Sequence, residues 1–230
     1  MRIIEKIIAK RDNNMDNPAP CICFFGDSVT QGAMHHSLDL DAVYHHQVNE
    51  ILKLLFPNTN IDILNAGIGG TTAEFGLSRI ERDVLSKNPD LCVVAFGLND
   101  CHEGENALEV YLDSLRAIFT KLQERDIEVI FMTPNMMNTK ITDNVPEQWK
   151  EFSHISMKRM ESGFFDSFIA AAVALAKECN VPVCDCYAKW KILHKNGVDT
   201  SLLLANGINH PIPEMHKLFA YSIVETMMTN

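Results

Sequence analysis

Five apolar runs, separated by segments with helical spacing, constrain the fold of this chain more than any other feature. The runs cover residues 21–25, 61–65, 91–96, 128–134 and 181–186. The third run is apolar at every position and ends at Gly97, which is typical of a strand covered on both faces. Strands that alternate with helices require right-handed crossovers and form a parallel sheet with helices on both sides. The pattern therefore predicts an α/β domain of three layers, an α/β/α sandwich around a five-stranded parallel sheet.

The helices between the runs follow from apolar residues at helical spacing. They are predicted at residues 43–56, 71–87, 107–124, 162–179 and 213–228. Pro213 suits a first helical turn, where its missing N–H has no partner to lose. Pro182 places the fifth strand at an edge of the sheet. Residues 135–156 interrupt the alternation as a long polar stretch.

The N-terminal residues 1–11 alternate apolar pairs with charges. This pattern favours a short amphipathic helix packed on the domain over a signal peptide or a membrane anchor. We expect residues 1–20 to form this segment and a linker, and residues 21–230 to form a single domain. A membrane-spanning run of about 18 apolar residues is absent from the sequence.

The charge and the cysteines limit the classes of partner. Lys and Arg number 20 against 30 Asp and Glu, a net charge of −10, which excludes the basic groove that nucleic acid would need. Seven cysteines, mostly in apolar runs, indicate reduced thiols and a cytoplasmic protein. We expect a small-molecule substrate, with no nucleic-acid or membrane partner.

Polar residues follow the predicted strands at their carboxyl ends, where ligands bind in such sheets. Ser28 follows the first strand, Gly70 the second and Asn99 the third, and His210 precedes the last helix. A serine hydroxyl needs an imidazole to take its proton before it can attack an acyl carbon. A backbone N–H on a glycine turn and a carboxamide can stabilise the resulting oxyanion. The sequence predicts one site with Ser28 as nucleophile and His210 as base.

At these residues the sequence resembles the SGNH (GDSL-type) hydrolase family. The four blocks of that family occur in order, as residues 26–28, 65–70, 97–100 and 209–211. The resemblance implies a flavodoxin-like SGNH hydrolase fold, esterase or lipase activity without a cofactor, and a role for each matching residue. Ser28 would be the nucleophile, His210 the base, and Ser28, Gly70 and Asn99 the oxyanion hole. Gly70 is preferred to Gly69 because the family places this glycine five residues after the asparagine that opens the block.

One position departs from the family pattern. The family has an aspartate three residues before the histidine, where this chain has Gly207, preceded by Asn206. An asparagine can orient an imidazole but cannot stabilise its positive charge, a loss of about ten-thousandfold in turnover in a serine protease. Three alternatives are open: Asn206 or a backbone carbonyl holds His210 as a dyad, a distant carboxylate reaches it, or activity is weak. The candidate carboxylates are Asp185, Asp199 and Glu214.

Other residues near the blocks have plainer interpretations. Asp27 and Asp100 are expected to cap helices or loops, and Cys101-His102 to pack inertly. The doublets His35-His36 and His45-His46 lack metal-ligand spacing and are interpreted as a solvated loop and helix face. Cys184 and Cys186 would share one face of the fifth strand. We assign no metal.

The stretch 135–156 is longer than most connections and leaves the carboxyl end of a strand. We therefore expect it to shape the substrate pocket, with Trp149 as a binding residue. The predicted function is a serine esterase acting through an acyl-enzyme on a carboxylic ester, with a short acyl or acetyl ester of a carbohydrate favoured. The alternatives are a non-catalytic carbohydrate-binding or interaction protein and a metal-dependent phosphoesterase.

Overall fold

A parallel sheet of five strands forms the centre of the protein, as the alternating pattern predicted. The computed structural model describes residues 1–35, 37–104 and 106–230. The strands are β1 (Cys21–Gly26), β2 (Asp62–Gly67), β3 (Leu91–Ala95), β4 (Glu128–Met132) and β5 (Val183–Cys184). Their order is β2-β1-β3-β4-β5, and every neighbouring pair is parallel. This is the flavodoxin-like order, in which the chain reverses direction across the sheet between β1 and β3.

Helices cover both faces of the sheet. They are α1 (Arg2–Asp12), α2 (Ser28–Gln31), α3 (Tyr44–Leu55), α4 (Ala73–Asp83), α5 (Ala107–Glu124), α6 (Lys150–Glu161), α7 (Phe164–Glu178), α8 (Cys186–Lys195) and α9 (Pro213–Thr229). On one side α9 packs against α1, α3 and α8, and on the other α5 packs against α4 and α7. Among the described residues no helix is both long and apolar enough to cross a membrane.

The structure corrects three of the predicted elements. The polar stretch 135–156 contains a 3₁₀ turn, Glu147–Trp149, and the beginning of α6, whose apolar residues are too few to mark a helical face. The fifth strand is only two residues long because Asp185 caps α8, accepting the backbone N–H of Ala188 at 3.0 Å. The segment after this strand, to which the sequence assigned no element, is α8.

The core lies between the sheet and its two helical layers. Phe24 and Phe25 alternate to opposite faces of β1, and both are fully buried. Each buried phenylalanine side chain contributes about 1.5–3 kcal/mol, so β1 is held from both sides. Helix α1 joins the same core through Ile3 and Ile7. With β1 fixed between β2 and β3, the residues that follow β1 and β3 are brought to one crevice at the carboxyl edge of the sheet.

Candidate active site

A tight turn after β1 presents Ser28 at this crevice. A Cβ at Gly26 would lie 2.2 Å from Thr30 Oγ1 and 2.4 Å from the Ala95 carbonyl oxygen, so only glycine lets the chain fold back here. Asp27 begins α2 by accepting the Val29 N–H at 2.9 Å, as its predicted capping role requires. Ser28 thus stands at the first position of a helix, where its own N–H has no intrahelical acceptor.

His210 lies beside the serine. Its Nε2 is 2.9 Å from Ser28 Oγ, and its Nδ1 is 2.9 Å from the backbone carbonyl oxygen of Met34. Because a carbonyl oxygen can only accept, the ring proton belongs on Nδ1. Nε2 is then left unprotonated, facing the serine hydroxyl, which is the arrangement a general base needs.

The environment of His210 favours the neutral imidazole. Burial lowers its pKa below the ordinary 6.5, and the hydrogen bond to Met34 opposes this only in part. A carboxylate in place of that carbonyl would raise the pKa by stabilising the imidazolium. At neutral pH the ring is therefore uncharged, so it can accept a proton.

Asn206 does not hold the imidazole, so this predicted alternative is wrong. Its Oδ1 accepts the backbone N–H groups of Ile208, Asn209 and His210 at 2.9–3.0 Å, because an asparagine oxygen readily closes a turn over the residues that follow it. Asn206 therefore shapes the loop that carries the histidine. The backbone carbonyl, the other predicted alternative, is what contacts the ring.

Two of the three carboxylates considered as distant acids have other partners, and the third is exposed. Asp185 accepts from Thr133 Oγ1 at 2.9 Å as well as capping α8. Asp199 forms an ion pair with Lys140. Glu214 is exposed in the first turn of α9.

Gly207 occupies a place where a side chain would not fit. Its φ is +68°, and a Cβ there would lie 2.5 Å from Thr142 Oγ1, 2.7 Å from Asn144 Oδ1 and 2.8 Å from Val145 Cγ2. The segment from Thr142 to Val145 therefore packs against Gly207. It occupies the space that the side chain of an aspartate at this position would need.

That packing is one part of a wider attachment between the long excursion after β4 and the histidine loop. The Asn138 N–H donates to the Ile208 carbonyl oxygen at 2.8 Å, and Asn135 Nδ2 donates to the Asn209 carbonyl oxygen at 2.9 Å. Both asparagines are fully buried. We call the excursion, residues 133–146, the clamp segment, because it fixes the backbone on which His210 stands.

The residues predicted for the oxyanion hole line the same cavity as Ser28 and His210. Gly70 has a φ of +73°, a conformation that favours glycine. Asn99 Nδ2 donates one hydrogen to the Thr71 carbonyl oxygen at 2.9 Å, which leaves the second for a ligand. The Gly69 N–H already donates to Gln31 Oε1 at 2.8 Å, and this favours Gly70 over Gly69 as the donor.

Asp100 completes the support behind Asn99. Its Oδ1 accepts the Ala73 N–H, the first of α4, at 2.7 Å, so it caps a helix as the sequence predicted. Burial raises the pKa of both Asp27 and Asp100 to about 7, and the charge of Asp100 adds to the rise at Asp27. Either protonation state keeps an oxygen that can accept the backbone N–H.

The cavity above the serine is lined by uncharged polar and apolar side chains, with a volume of about 440 Å³. Besides the residues named above, its lining includes Gln31, His35, Gln148, Asn209 and Trp149. Trp149 is 52% exposed, so about half of this residue is accessible to a ligand. None of the described residues that line the cavity is Asp, Glu, Lys or Arg.

The remaining candidates lie away from the serine. Burial raises the pKa of the Cys101 thiol to about 12, so it is not a thiolate nucleophile. His45 is buried against Phe24 at 5.6 Å, so the predicted solvated face is wrong for this residue. The aliphatic residues of α3 mark its apolar face in the sequence, and a polar histidine on that face, such as His45, gives no such signal.

Two further predictions concern His36 and the pair Cys184 and Cys186. His36 lies outside the described residues. Cys186 belongs to α8 and not to the fifth strand, yet its Sγ lies 3.7 Å from that of Cys184. The two thiols were expected to meet on one face of the strand. They do meet, but because α8 begins at Cys186.

Comparison with known proteins gives a consistent picture. A sequence model of the GDSL-like lipase/acylhydrolase family matches residues 24–218. An acetylxylan esterase of Geobacillus stearothermophilus is 27% identical over 128 residues, 49% of this chain and 58% of that protein. The uncharacterized lipoprotein YqeF of Bacillus subtilis is 42% identical over 76 residues, 33% of this chain. The matched part covers only 30% of YqeF, so each match extends over less than two thirds of its curated relative.

Solved structures share the fold. An acetyl xylan esterase superimposes with a TM-score of 0.69 at 26% identity, covering 89% of this chain and 98% of its own. A variant of an acetyl-xylooligosaccharide esterase from Geobacillus gives a TM-score of 0.71 at 21% identity, covering 92% and 95%. Catalytic mutants of that enzyme replace a serine, a histidine and the aspartate three residues before the histidine by alanine. The residue three before His210 in this chain is Gly207.

Proposed function

The chain belongs to the GDSL-like lipase/acylhydrolase family, and on that premise we propose that it is a serine esterase that hydrolyses a short acyl ester of a carbohydrate. One observation carries the chemical part of the proposal. Ser28 Oγ lies 2.9 Å from His210 Nε2. Because the Met34 carbonyl oxygen keeps the ring proton on Nδ1, Nε2 is free to accept the proton of the serine. This contact also argues against a non-catalytic role, since a binding protein would not need a serine hydroxyl next to a general base.

The reaction would proceed in two halves. Ser28 Oγ attacks the ester carbonyl carbon while His210 Nε2 takes the hydroxyl proton. The N–H groups of Ser28 and Gly70 and the Asn99 carboxamide stabilise the oxygen of the tetrahedral intermediate. His210 then gives its proton to the leaving alcohol, and water, activated by the same ring, releases the acid and restores the serine.

The proposed base works without a carboxylate. The Met34 carbonyl orients the ring and fixes its tautomer, and the clamp segment holds the loop on which it stands. A carbonyl stabilises the imidazolium less than a carboxylate would. We therefore describe the site as a serine–histidine dyad with backbone support.

The lining of the cavity supports a carbohydrate as the alcohol part of the ester. Neutral carboxamides, such as those of Gln148 and Asn209, can donate to and accept from sugar hydroxyls. The exposed ring of Trp149 offers a flat apolar face of the kind that stacks on a sugar ring. The acetylxylan esterases with the same fold support the same substrate class.

The proposal is tested by labelling with a fluorophosphonate, which reacts with activated serines. We expect one label per molecule, on Ser28, in wild-type protein and in the control variant Ser78→Ala, whose serine is exposed on α4. Ser28→Ala should remain unlabelled. Folded wild-type protein that takes up no label would favour a binding protein, and hydrolysis of a phosphate ester that needs a divalent metal would favour a phosphoesterase.

Trp149 should affect carbohydrate esters selectively. An aromatic pair contributes about 0.5–1.5 kcal/mol. On that scale for the contact with a sugar ring, Trp149→Ala should raise KM for acetylated xylo-oligosaccharides up to about tenfold. Trp149→Phe, which keeps a ring, should lie between it and the wild type. The kcat/KM for p-nitrophenyl acetate should stay within about twofold. Equal effects on both substrates would mean that Trp149 supports the site and does not contact the sugar.

A further inference from the structure

The short helix that carries the nucleophile also carries Gln31, one turn after Ser28. Its side-chain Oε1 accepts the backbone N–H of Gly69 at 2.8 Å. An N–H can only donate, so the carboxamide must present its oxygen to this group. The nucleophile and the loop after β2 are thus joined by one side chain three residues from the serine.

The loop after β2 lies directly on this helix. A Cβ at Gly67 would be 2.3 Å from the backbone nitrogen of Gln31. A Cβ at Gly69 would be 2.9 Å from Gln31 Oε1 and 3.6 Å from Ser28 Cβ. Asn65 ties the same parts together, because its Nδ2 donates to the Gln31 carbonyl oxygen at 3.3 Å and its Oδ1 accepts the Gly67 N–H at 2.9 Å. The chain is therefore anchored to the nucleophile's helix up to Gly69.

Gly70, the next residue, turns with a φ of +73°, and a Cβ there would meet nothing within 4 Å. On its far side the chain is anchored again, since Asn99 Nδ2 donates to the Thr71 carbonyl oxygen at 2.9 Å. Packing does not hold Gly70 itself, so the direction of its N–H depends on the anchors at its two neighbours. One of those anchors comes from the third block and the other from Gln31.

We propose that Gln31 is a positioning residue for the oxyanion hole. Its side-chain oxygen holds Gly69 so that the N–H of Gly70 faces the oxygen that develops on the ester bound to Ser28. This role rests on the proposed esterase function, and Gln31 acts through Gly69 without touching the reacting atoms. Because Ser28 and Gln31 share one helical turn, the distance between the Gly70 N–H and the serine stays fixed.

The test replaces the acceptor and keeps the length of the side chain. Gln31→Met should lower kcat for p-nitrophenyl acetate by about tenfold to a hundredfold, less than the loss of an oxyanion donor itself, with KM within about twofold. The affinity for a phenylboronic acid, which forms a tetrahedral adduct on the serine, should fall by the same factor as kcat/KM. Gln31→Ala should behave likewise. The control Gln47→Met removes a side-chain bond from α3 to the Asp41 carbonyl oxygen, and it should match the wild type.

Each other result has a defined meaning. Wild-type kcat in both folded Gln31 variants, or a rise in KM with unchanged kcat and unchanged boronate affinity, overturns the positioning role. Ser28→Ala is measured in parallel. If it keeps wild-type activity, the proposed function fails and this inference with it, whereas an inactive Ser28→Ala beside a fully active Gln31→Met overturns the inference alone.

Discussion

His210→Ala is expected to lower kcat/KM for p-nitrophenyl acetate by about 10³-fold or more, because general-base catalysis contributes about 10²–10⁴-fold and the serine depends on this ring for its activation. Ser28→Ala should be at least as damaging. Since the two side chains act as one unit, the double variant should be hardly worse than either single variant. Steady-state kinetics of the three proteins measure this non-additivity, and losses that multiply would contradict the dyad.

The same histidine should set the acid limb of the pH profile. The neutral ring is the active form, and burial lowers its pKa below 6.5, so kcat/KM should fall only as the pH decreases through that lowered value. The control His194→Ala, an exposed histidine near the end of α8, should keep both rate and profile. A limb well above pH 7, and so above the pKa of Asp27 and Asp100 as well, would mean that a carboxylate stabilises the imidazolium.

Gly207→Asp, which restores the residue type of the relatives, is expected to impair the protein and not to complete a triad. The new side chain would require a positive φ, at about 1–2 kcal/mol, and would press on Thr142, Asn144 and Val145 at 2.5–2.8 Å. We expect the free energy of unfolding in urea to fall by about 2–4 kcal/mol, with reduced kcat as the histidine loop shifts.

Gly197→Asp provides the matched control for this change. Gly197 also has a positive φ, +88°, but a Cβ there meets nothing within 4 Å. It should therefore show the backbone strain alone, with unchanged kcat. If Gly207→Asp were as stable as Gly197→Asp and faster than the wild type, the clamp segment would tolerate an acid and our account of the missing aspartate would be wrong.

The regular part of the fold could be predicted because its signals are local. The apolar run at residues 91–96 and the spacing over α5 (Ala107–Glu124) need no distant contact to be recognised. Helix α6 could not be predicted, since it is largely exposed and its few buried residues include Ser153 and Ser156. The fifth strand was predicted too long because the sequence does not show that Asp185 would cap a helix immediately after it.

The candidate site divides in the same way. Ser28, Gly70 and Asn99 stand in short blocks after strands, where the topology of the sheet brings such positions together, and His210 stands in a short block before the last helix. The support of the histidine comes from the Met34 carbonyl, and every residue has a carbonyl, so no side chain in the sequence marks it. Gln31 was overlooked for a related reason, since its contact with Gly69 depends on how two loops meet.

The clamp segment has one further consequence, for how long the enzyme would keep working under stress. The described residues 133–146 form no helix or strand, and they reach the histidine loop through bonds between partners about seventy positions apart, such as Asn138 with Ile208. Segments of this kind open locally at a lower free energy than the strands of a core. Heat or denaturant should therefore separate the base from its serine while the sheet is still intact, so that catalysis is extinguished before the protein melts.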